Sequence, residues 1–244
     1  MICLVNTVTV IAKNLMNFVY PLHCAICKAP LDPMDELGVC GRCIAGIRRN
    51  PMPHCASCGR SVSDASALCA ECRGKRFHFE RSYSACLYEG DLKKLIHLFK
   101  YRGKLALAGL LSKLMIDFID ENRELISGID AITYVPLQPR RLKNREFNQS
   151  RVLAVNIARQ FGIQIFDLLE KKRSTRPQNT LSRHERLTNL KNVFAAKHGV
   201  NPVNKGILLI DDVMTTGATN DECSRTLLAS GVKFVRGLTL ARGV

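Results

Sequence analysis

Two groups of residues in this 244-residue chain have types and spacings suited to chemistry. The first is a series of four Cys-x-x-Cys units: Cys24 with Cys27, Cys40 with Cys43, Cys55 with Cys58, and Cys69 with Cys72, separated by twelve, eleven and ten residues. Cysteines three apart set both sulfurs on one side of a tight turn, and two such turns supply the tetrahedral thiolate set that zinc prefers. The eight thiols therefore predict two Zn2+ ions in structural sites with every ligand position filled. Sequential pairing of the units is the simplest scheme; an interleaved one uses the same ligands. Disulfides or redox-active pairs are the competing chemistry, but no export signal is expected and redox motifs do not usually come four in a row. His23 and His54 each precede a ligand cysteine and are read as bystanders, while Cys3, Cys86 and Cys223 are read as small buried apolar residues. Gly41 and Gly59, in or just after the turns, are expected to take the unusual backbone angles of such knuckles.

The second group is the run Ile207-Leu208-Leu209-Ile210-Asp211-Asp212-Val213-Met214-Thr215-Thr216-Gly217-Ala218-Thr219. Four apolar residues predict a buried strand, two carboxylates stand where it emerges into solvent, and a hydroxyl-rich turn opens a helix. Backbone N–H groups of Thr215, Thr216, Gly217, Ala218 and Thr219, aided by the helix dipole, can cradle a 5'-phosphate, with Gly217 allowing close approach. Asp211 and Asp212 can then hydrogen-bond two ribose hydroxyls, directly or through Mg2+. The plainer alternative is a strand–turn–helix whose acidic pair merely ends a strand. It leaves unexplained why two mutually repelling carboxylates stand side by side.

The elements that must position these residues follow from periodicity. Arg81 to Tyr88 reads as a strand, and Asp91 to Phe99 and Leu105 to Arg123 as helices. Asp130 to Val135 is a short buried strand; Val152 to Phe161 is a helix closed by Gly162; Gln164 to Leu169 is a strand. A polar stretch from Lys171 to Thr180 precedes a helix that Ser182 and Glu185 cap and that runs through Leu190. Ile207 to Ile210 is a strand, Thr219 with Glu222 caps the next helix, and Val232 to Leu240 is the last strand. Strands alternating with helices predict an α/β fold with a mostly parallel sheet covered on both faces.

Residues 20–78 are poor in apolar runs and rich in Cys, Gly, Pro and Arg, as befits a segment whose core is metal. The expected organisation is an N-terminal helix or early start over 1–19 (Met16 being an alternative start), a double zinc ribbon over 20–78, and an α/β domain over 79–244. Asn6, Lys13, Asn14 and Asn17 interrupt the apolar N-terminus, so no membrane span or signal peptide is expected there and the protein reads as cytoplasmic. The net charge of +15 calls for polyanionic partners. It is concentrated between Pro139 and Lys191, where thirteen Lys and Arg face four acidic residues.

The thirteen residues from Ile207 resemble the phosphoribosyl pyrophosphate signature of type I phosphoribosyltransferases. From about Phe18 onward the chain is similar to the ComF (GntX-like) family, which joins a double zinc ribbon to such a domain. Further stretches carry the resemblance: Leu98-Phe99-Lys100-Tyr101; Val135-Pro136-Leu137; Arg141 with Arg145-Glu146-Phe147-Asn148-Gln149-Ser150; and Thr175, Gln178, Leu181, Ser182, Arg186 and Asn189. Glu146 stands where the family's Arg-Gly-Phe-Asn-Gln motif has glycine, and Thr215 where some purine-using relatives have an acid. The resemblance implies a phosphoribosyl pyrophosphate ligand with Mg2+, a pyrophosphate loop after Pro136 carrying Arg141 and Arg145, Lys100 at the same ligand, and a flap from Lys171 to Gln178. It also implies a link to single-stranded DNA taken up in natural competence, with DNA-uptake or recombination proteins as partners.

Two functions fit these residues. As an enzyme, Asp211 and Asp212 would hold ribose and magnesium, the 215–219 loop the 5'-phosphate, and Arg141 and Arg145 the departing pyrophosphate, with charge stabilisation at an oxocarbenium-like centre; no acceptor is identifiable. As a binding module, the pocket senses the nucleotide precursor while ribbons and basic segment hold single-stranded DNA, with Phe77, Phe79, Tyr83 and Tyr101 as the rings for base stacking.

Overall fold

A computed structural model describes residues 22–32, 37–64, 68–138, 147–173, 190, 192–197 and 199–243. The expectations for residues 1–19, for Cys3, for Arg141 and Arg145, and for the capping box of Ser182 and Glu185 lie outside them, as does most of the expected flap, including Thr175 and Gln178. Among the described residues no helix is long and apolar enough to cross a membrane.

The main sheet contains five strands: β1 (Arg81–Leu87), β2 (Ala131–Tyr134), β3 (Gln164–Ile165), β6 (Gly206–Met214) and β7 (Phe234–Arg242). Their order is β1-β7-β6-β2-β3 and every pairing is parallel. Such a sheet must be covered on both faces, and β6 shows this by alternation. Leu208 and Ile210 enter the core beneath helices α2 (Gly90–Tyr101), α3 (Ala108–Glu121) and α4 (Gln149–Phe161), whereas Ile207 and Leu209 enter the core beneath α5 (Ala218–Ala229). A two-stranded antiparallel ribbon, β4 (Leu169–Lys171) with β5 (Phe194–Ala196), covers part of that second face.

Three expectations are corrected. The strand over 164–169 is two strands: β3 ends after Ile165, and the chain resumes at Leu169 in the separate β4–β5 pair, whose second strand was not anticipated. The strand at Ile207 does not stop at Ile210. It continues to Met214 because β7 pairs with it as far as Met214 opposite Arg242, so both carboxylates lie within the strand. The helix after it begins at Ala218 behind Gly217, which takes a φ of +82° and has no side chain to cap it, while Thr216 Oγ1 accepts from the Ala218 N–H at 3.4 Å. Thr219 is therefore inside the helix, and Glu222 accepts instead from the Asn192 N–H at 2.6 Å and pairs with Arg225.

The cysteine-rich segment closes the exposed edge of β1. Residues 48–50 run antiparallel beside it, with Arg49 opposite Cys86, Asn50 N–H donating to Ala85 O at 3.0 Å and Leu87 N–H to Arg48 O at 3.0 Å. An uncovered edge would offer unpaired backbone groups to other chains, and this segment removes that liability. Buried Asn50 sends its side-chain amide to both Gly59 O (2.7 Å) and Ser84 O (3.0 Å), tying the second knuckle to the strand. Asn50→Ala leaves two carbonyls without that donor and is expected to cost about 1–3 kcal/mol of stability in urea unfolding; an unchanged midpoint would show that the edge is held otherwise.

Candidate ribose-phosphate site and metal centres

From β2 the chain steps outward to β3, then returns to β6 on the other side of β2. The strand order thus reverses between β2 and β6, and ligands of parallel sheets bind in the crevice such a reversal opens at the carboxyl ends of the strands. Asp211 and Asp212 sit there, and a shallow pocket is lined by Asp211 and by residues 213–220. Thr215, Thr216, Gly217, Ala218 and Thr219 thus share one pocket with the first carboxylate, beside the positive end of α5.

The charges of this corner are arranged around Asp211. Burial first, then the neighbouring Asp212 carboxylate, push its carboxyl up to about 7, against the opposing pull of Lys100. Its Oδ1 accepts from Ser150 Oγ at 3.0 Å and from the Asp212 N–H at 2.8 Å. Asp212 is matched by Lys100, whose Nζ stands 2.7 Å from its Oδ1, with both side chains under a fifth exposed. Lys100 comes from the last turn of α2, so the helix exists in part to deliver an ammonium ion to β6.

The stretch Phe147-Asn148-Gln149-Ser150 welds these parts together. Asn148 caps α4 by accepting from the Arg151 N–H at 3.2 Å, and its amide donates to Val135 O at the end of β2 at 3.1 Å. Phe147 packs on Phe99 of α2, ring centres 5.2 Å apart, and Ser150 reaches Asp211. The role of Ser150 as a donor to the acidic pair was not assigned from sequence. Its place in the motif was the available signal.

The eight cysteines form two sequential clusters, Cys24-Cys27-Cys40-Cys43 and Cys55-Cys58-Cys69-Cys72, each with its sulfurs within 4.8 Å of one another. Sulfurs are 3.7 Å apart for Cys27–Cys40 and for Cys58–Cys69, close to the tetrahedral edge of about 3.8 Å implied by Zn–S bonds of about 2.3 Å. The knuckles repeat each other: Cys40 N–H donates to Cys24 Sγ at 3.4 Å and Cys69 N–H to Cys55 Sγ at 3.3 Å. The left-handed residue is Lys28 (φ 63°) in the first and Gly59 (φ +67°) in the second. Gly41 does not play this part; it opens the short helix α1 (Gly41–Ala45), and Lys28 takes the strain instead. A Cβ on Gly59 would fall 2.5 Å from Ser82 O, so this glycine also permits the knuckle to meet β1.

The thiols fit a dication. Burial opposes ionisation of Cys24, yet backbone N–H groups of Cys40, Cys27 and Ile26 bring it down to about 6; Cys55 falls to about 7 by the same balance, burial against donors from Cys58, Cys69 and Ser57. Burial and the neighbouring thiols push the last member of the first cluster, Cys43, up to about 12, and Cys72 moves the same way. Four sulfurs this close cannot all be thiolates without a cation among them. His54 Nε2–H donates to Asn50 O at 3.1 Å, and His23 lies in a bridge with Pro30; neither belongs to a cluster. Cys86 and Cys223 are buried apolar residues as expected.

Of the four rings proposed for stacking, Phe79 and Tyr83 are only 4% and 3% exposed and cannot receive a base; Phe77 stacks on Phe79 at 4.7 Å. Tyr101, 57% exposed, packs against His97 at 4.6 Å. Lys93, Lys94, Arg102 and Lys104 are exposed on the same helix and the turn after it.

Fold and site together define a type I phosphoribosyltransferase-like α/β domain preceded by a double zinc ribbon. Residues 15–73 match the family model described as "Double zinc ribbon domain". The chain is 30% identical over 226 residues to "DNA utilization protein YhgH" of Salmonella typhimurium, covering 91% of this chain and 97% of that one. It is 27% identical over 232 residues to "Competence protein F" of Haemophilus influenzae (93% and 100% covered), and 32% identical over 211 residues to "Competence protein ComFC" of Streptococcus pneumoniae (85% and 89%). Among solved structures it is similar to a hypoxanthine phosphoribosyltransferase from Staphylococcus aureus at a TM-score of 0.35 and 14% identity, covering 55% of this chain and 64% of that one. A likeness that slight adds nothing to the strand order itself. The chain belongs to the ComF (GntX-like) family.

The Asp211 carboxyl gives a pH signature. An unfolded aspartate ionises near 3.8, whereas the folded one holds its proton to about 7. Between these values the folded state binds more protons, so this residue's contribution makes stability fall as pH rises from about 4 to about 7 and level off above. Asp211→Asn is expected to raise the melting temperature at pH 8 and to lose that advantage at pH 4. Equal melting shifts at both pH values would contradict the burial argument.

Proposed function

We propose that this protein binds phosphoribosyl pyrophosphate with magnesium and single-stranded DNA, and acts in the cytoplasmic handling of DNA taken up during natural transformation. One observation carries the ligand: buried Asp211, with Asp212 adjacent in the strand, shares a pocket with the N-terminal turn of α5 at the reversal point of a parallel sheet. That combination offers a carboxylate acceptor for a ribose hydroxyl and amide donors for a 5'-phosphate within one pocket, with Asp212, held by Lys100, next to it in the strand as the proposed second acceptor. Asp211, Asp212, the 215–219 loop and Lys100 are the proposed contacts, with Arg141 and Arg145 on the pyrophosphate. Mg2+ at this corner would be met by Asp212, and the Lys100 ammonium must then share that carboxylate or yield it.

Competence protein F and Competence protein ComFC, by their names, support the biological setting. The DNA reading rests on the charge of +15 and on the exposed Tyr101–His97 pair among cations at the end of α2. Stacking on such a ring with cations alongside suits a single strand, whose bases are open to aromatic faces.

Calorimetry with phosphoribosyl pyrophosphate and Mg2+ is expected to show one site per chain, weakened at least tenfold in Asp212→Asn. Fluorescence anisotropy with labelled oligothymidylate is expected to show affinity that falls steeply with salt and drops roughly fivefold or more in Tyr101→Ala. No heat with the sugar phosphate, or salt-independent strand binding, contradicts the respective half. Pyrophosphate release that depends on one added nucleobase or amine identifies the alternative, transfer of ribose 5-phosphate to an acceptor.

A further inference from the structure

The two metal centres have different surroundings. Cys24 and Cys43 of the first lie in the large core beneath the helices, with Leu31, Val39 and Ile47. All four cysteines of the second are buried in a separate small cluster whose other members are Phe79, Met214, Val62 and Phe77. Met214 is the last residue of β6, immediately before the phosphate loop.

That cluster forms the underside of the loop. A Cβ on Gly217 would meet Met214 Cε at 2.8 Å, Phe77 Cε1 at 3.6 Å and Phe79 Cζ at 3.9 Å, so the left-handed turn rests directly on these side chains. Met214 is fixed in turn: its Sδ accepts from Ser82 Oγ at 3.2 Å, its carbonyl accepts from Gly243 N–H at 2.8 Å, and Ser82 N–H donates to Ser57 O between two ligand cysteines at 2.8 Å. On the other side His78 holds the first turn of α5, its N–H and Nδ1 standing 2.6 and 3.0 Å from Asp221 Oδ1.

The next residue along this wall is Arg242, at the end of β7 and 3% exposed. Its Nη2 donates to Cys58 Sγ at 3.5 Å, while among the described residues Nε and Nη1 find no partner. A buried guanidinium with unmet donors is costly unless an anion faces it. A tetrathiolate zinc centre carries a net charge of about −2, and Cys58 is the ligand in contact. The structure thus gives the second centre a counter-ion from the last strand of the α/β domain.

We infer that Arg242 and Met214 are positioning residues through which the second zinc ribbon, and not the first, holds the phosphate loop in its ligand-ready shape. The ligand named in the test rests on the function proposed above; the loop's dependence on the second centre does not. Loss of that centre removes the anion facing Arg242 and the packing under Met214, and the 215–219 turn loses its floor. The first centre shares no member of this cluster, so its loss leaves the turn in place.

The test compares Cys72→Ser with Cys27→Ser in the full chain, following zinc content by native mass spectrometry, hydrogen exchange of the 213–219 amides, and calorimetry with phosphoribosyl pyrophosphate and Mg2+. Cys72→Ser is expected to speed exchange in the loop and weaken the ligand at least tenfold each, while Cys27→Ser stays within twofold of the parent. Two further variants keep the test open should Cys72→Ser fail to fold. Arg242→Met should speed chelator-driven release of one of two zinc ions at least tenfold, and Met214→Ala should loosen the loop with both ions retained. Equal loop exchange in the two cysteine variants, or unchanged zinc release in Arg242→Met, overturns the inference. A parent protein that binds no sugar phosphate sinks the ligand reading but leaves the exchange and zinc arms decisive.

Discussion

Two adjacent carboxylates within a strand, one of them buried, set the constraint around which this molecule is organised. Left alone the pair would repel, and the buried member would be stranded from water. The structure answers from several directions: a hydroxyl from α4, a backbone N–H from the strand itself, and an ammonium from the end of α2. Each answer places a helix. Asn148 ties the start of α4 to Val135 just past β2 because α4 must start where Ser150 can reach Asp211, and α2 must end where Lys100 meets Asp212. Lys100 is the counter-ion that makes the corner tolerable.

The double ribbon is part of this same economy. A segment so poor in apolar residues builds little core of its own, and thiolate–metal bonds replace it. Its two knuckles share a backbone pattern but not a task. One packs into the core beneath the helices; the other lies under the 215–219 turn, while the chain between them covers the edge of β1. The second cysteine cluster, the sheet edge and the 215–219 turn are thereby joined within a few residues of Met214 and Arg242.

Much of this was legible in the sequence because the signals are local. Four Cys-x-x-Cys units announce their chemistry by spacing, and the run from Ile207 to Thr219 combines a buried strand with acids and hydroxyls in a fixed order. What was not legible depends on partners distant in sequence. The extension of β6 past Ile210 follows from pairing with β7, and the N-terminus of α5 is set by the left-handed Gly217, not by the apparent Thr219–Glu222 box. Phe79 and Tyr83 looked available as stacking rings, yet tertiary packing buries them. Arg242 gave no sign of its position, since one arginine among 36 basic residues is unremarkable until the fold sets it against Cys58.

The most direct measurement of the central claim is a crystal structure of the zinc-loaded protein soaked with millimolar phosphoribosyl pyrophosphate and Mg2+. The ribose hydroxyls should lie on Asp211 and Asp212, directly or through the metal, with the 5'-phosphate on the amides of 215–219. Sugar-phosphate density bound elsewhere, or an unchanged corner with Lys100 still on Asp212 and no ligand, would contradict it.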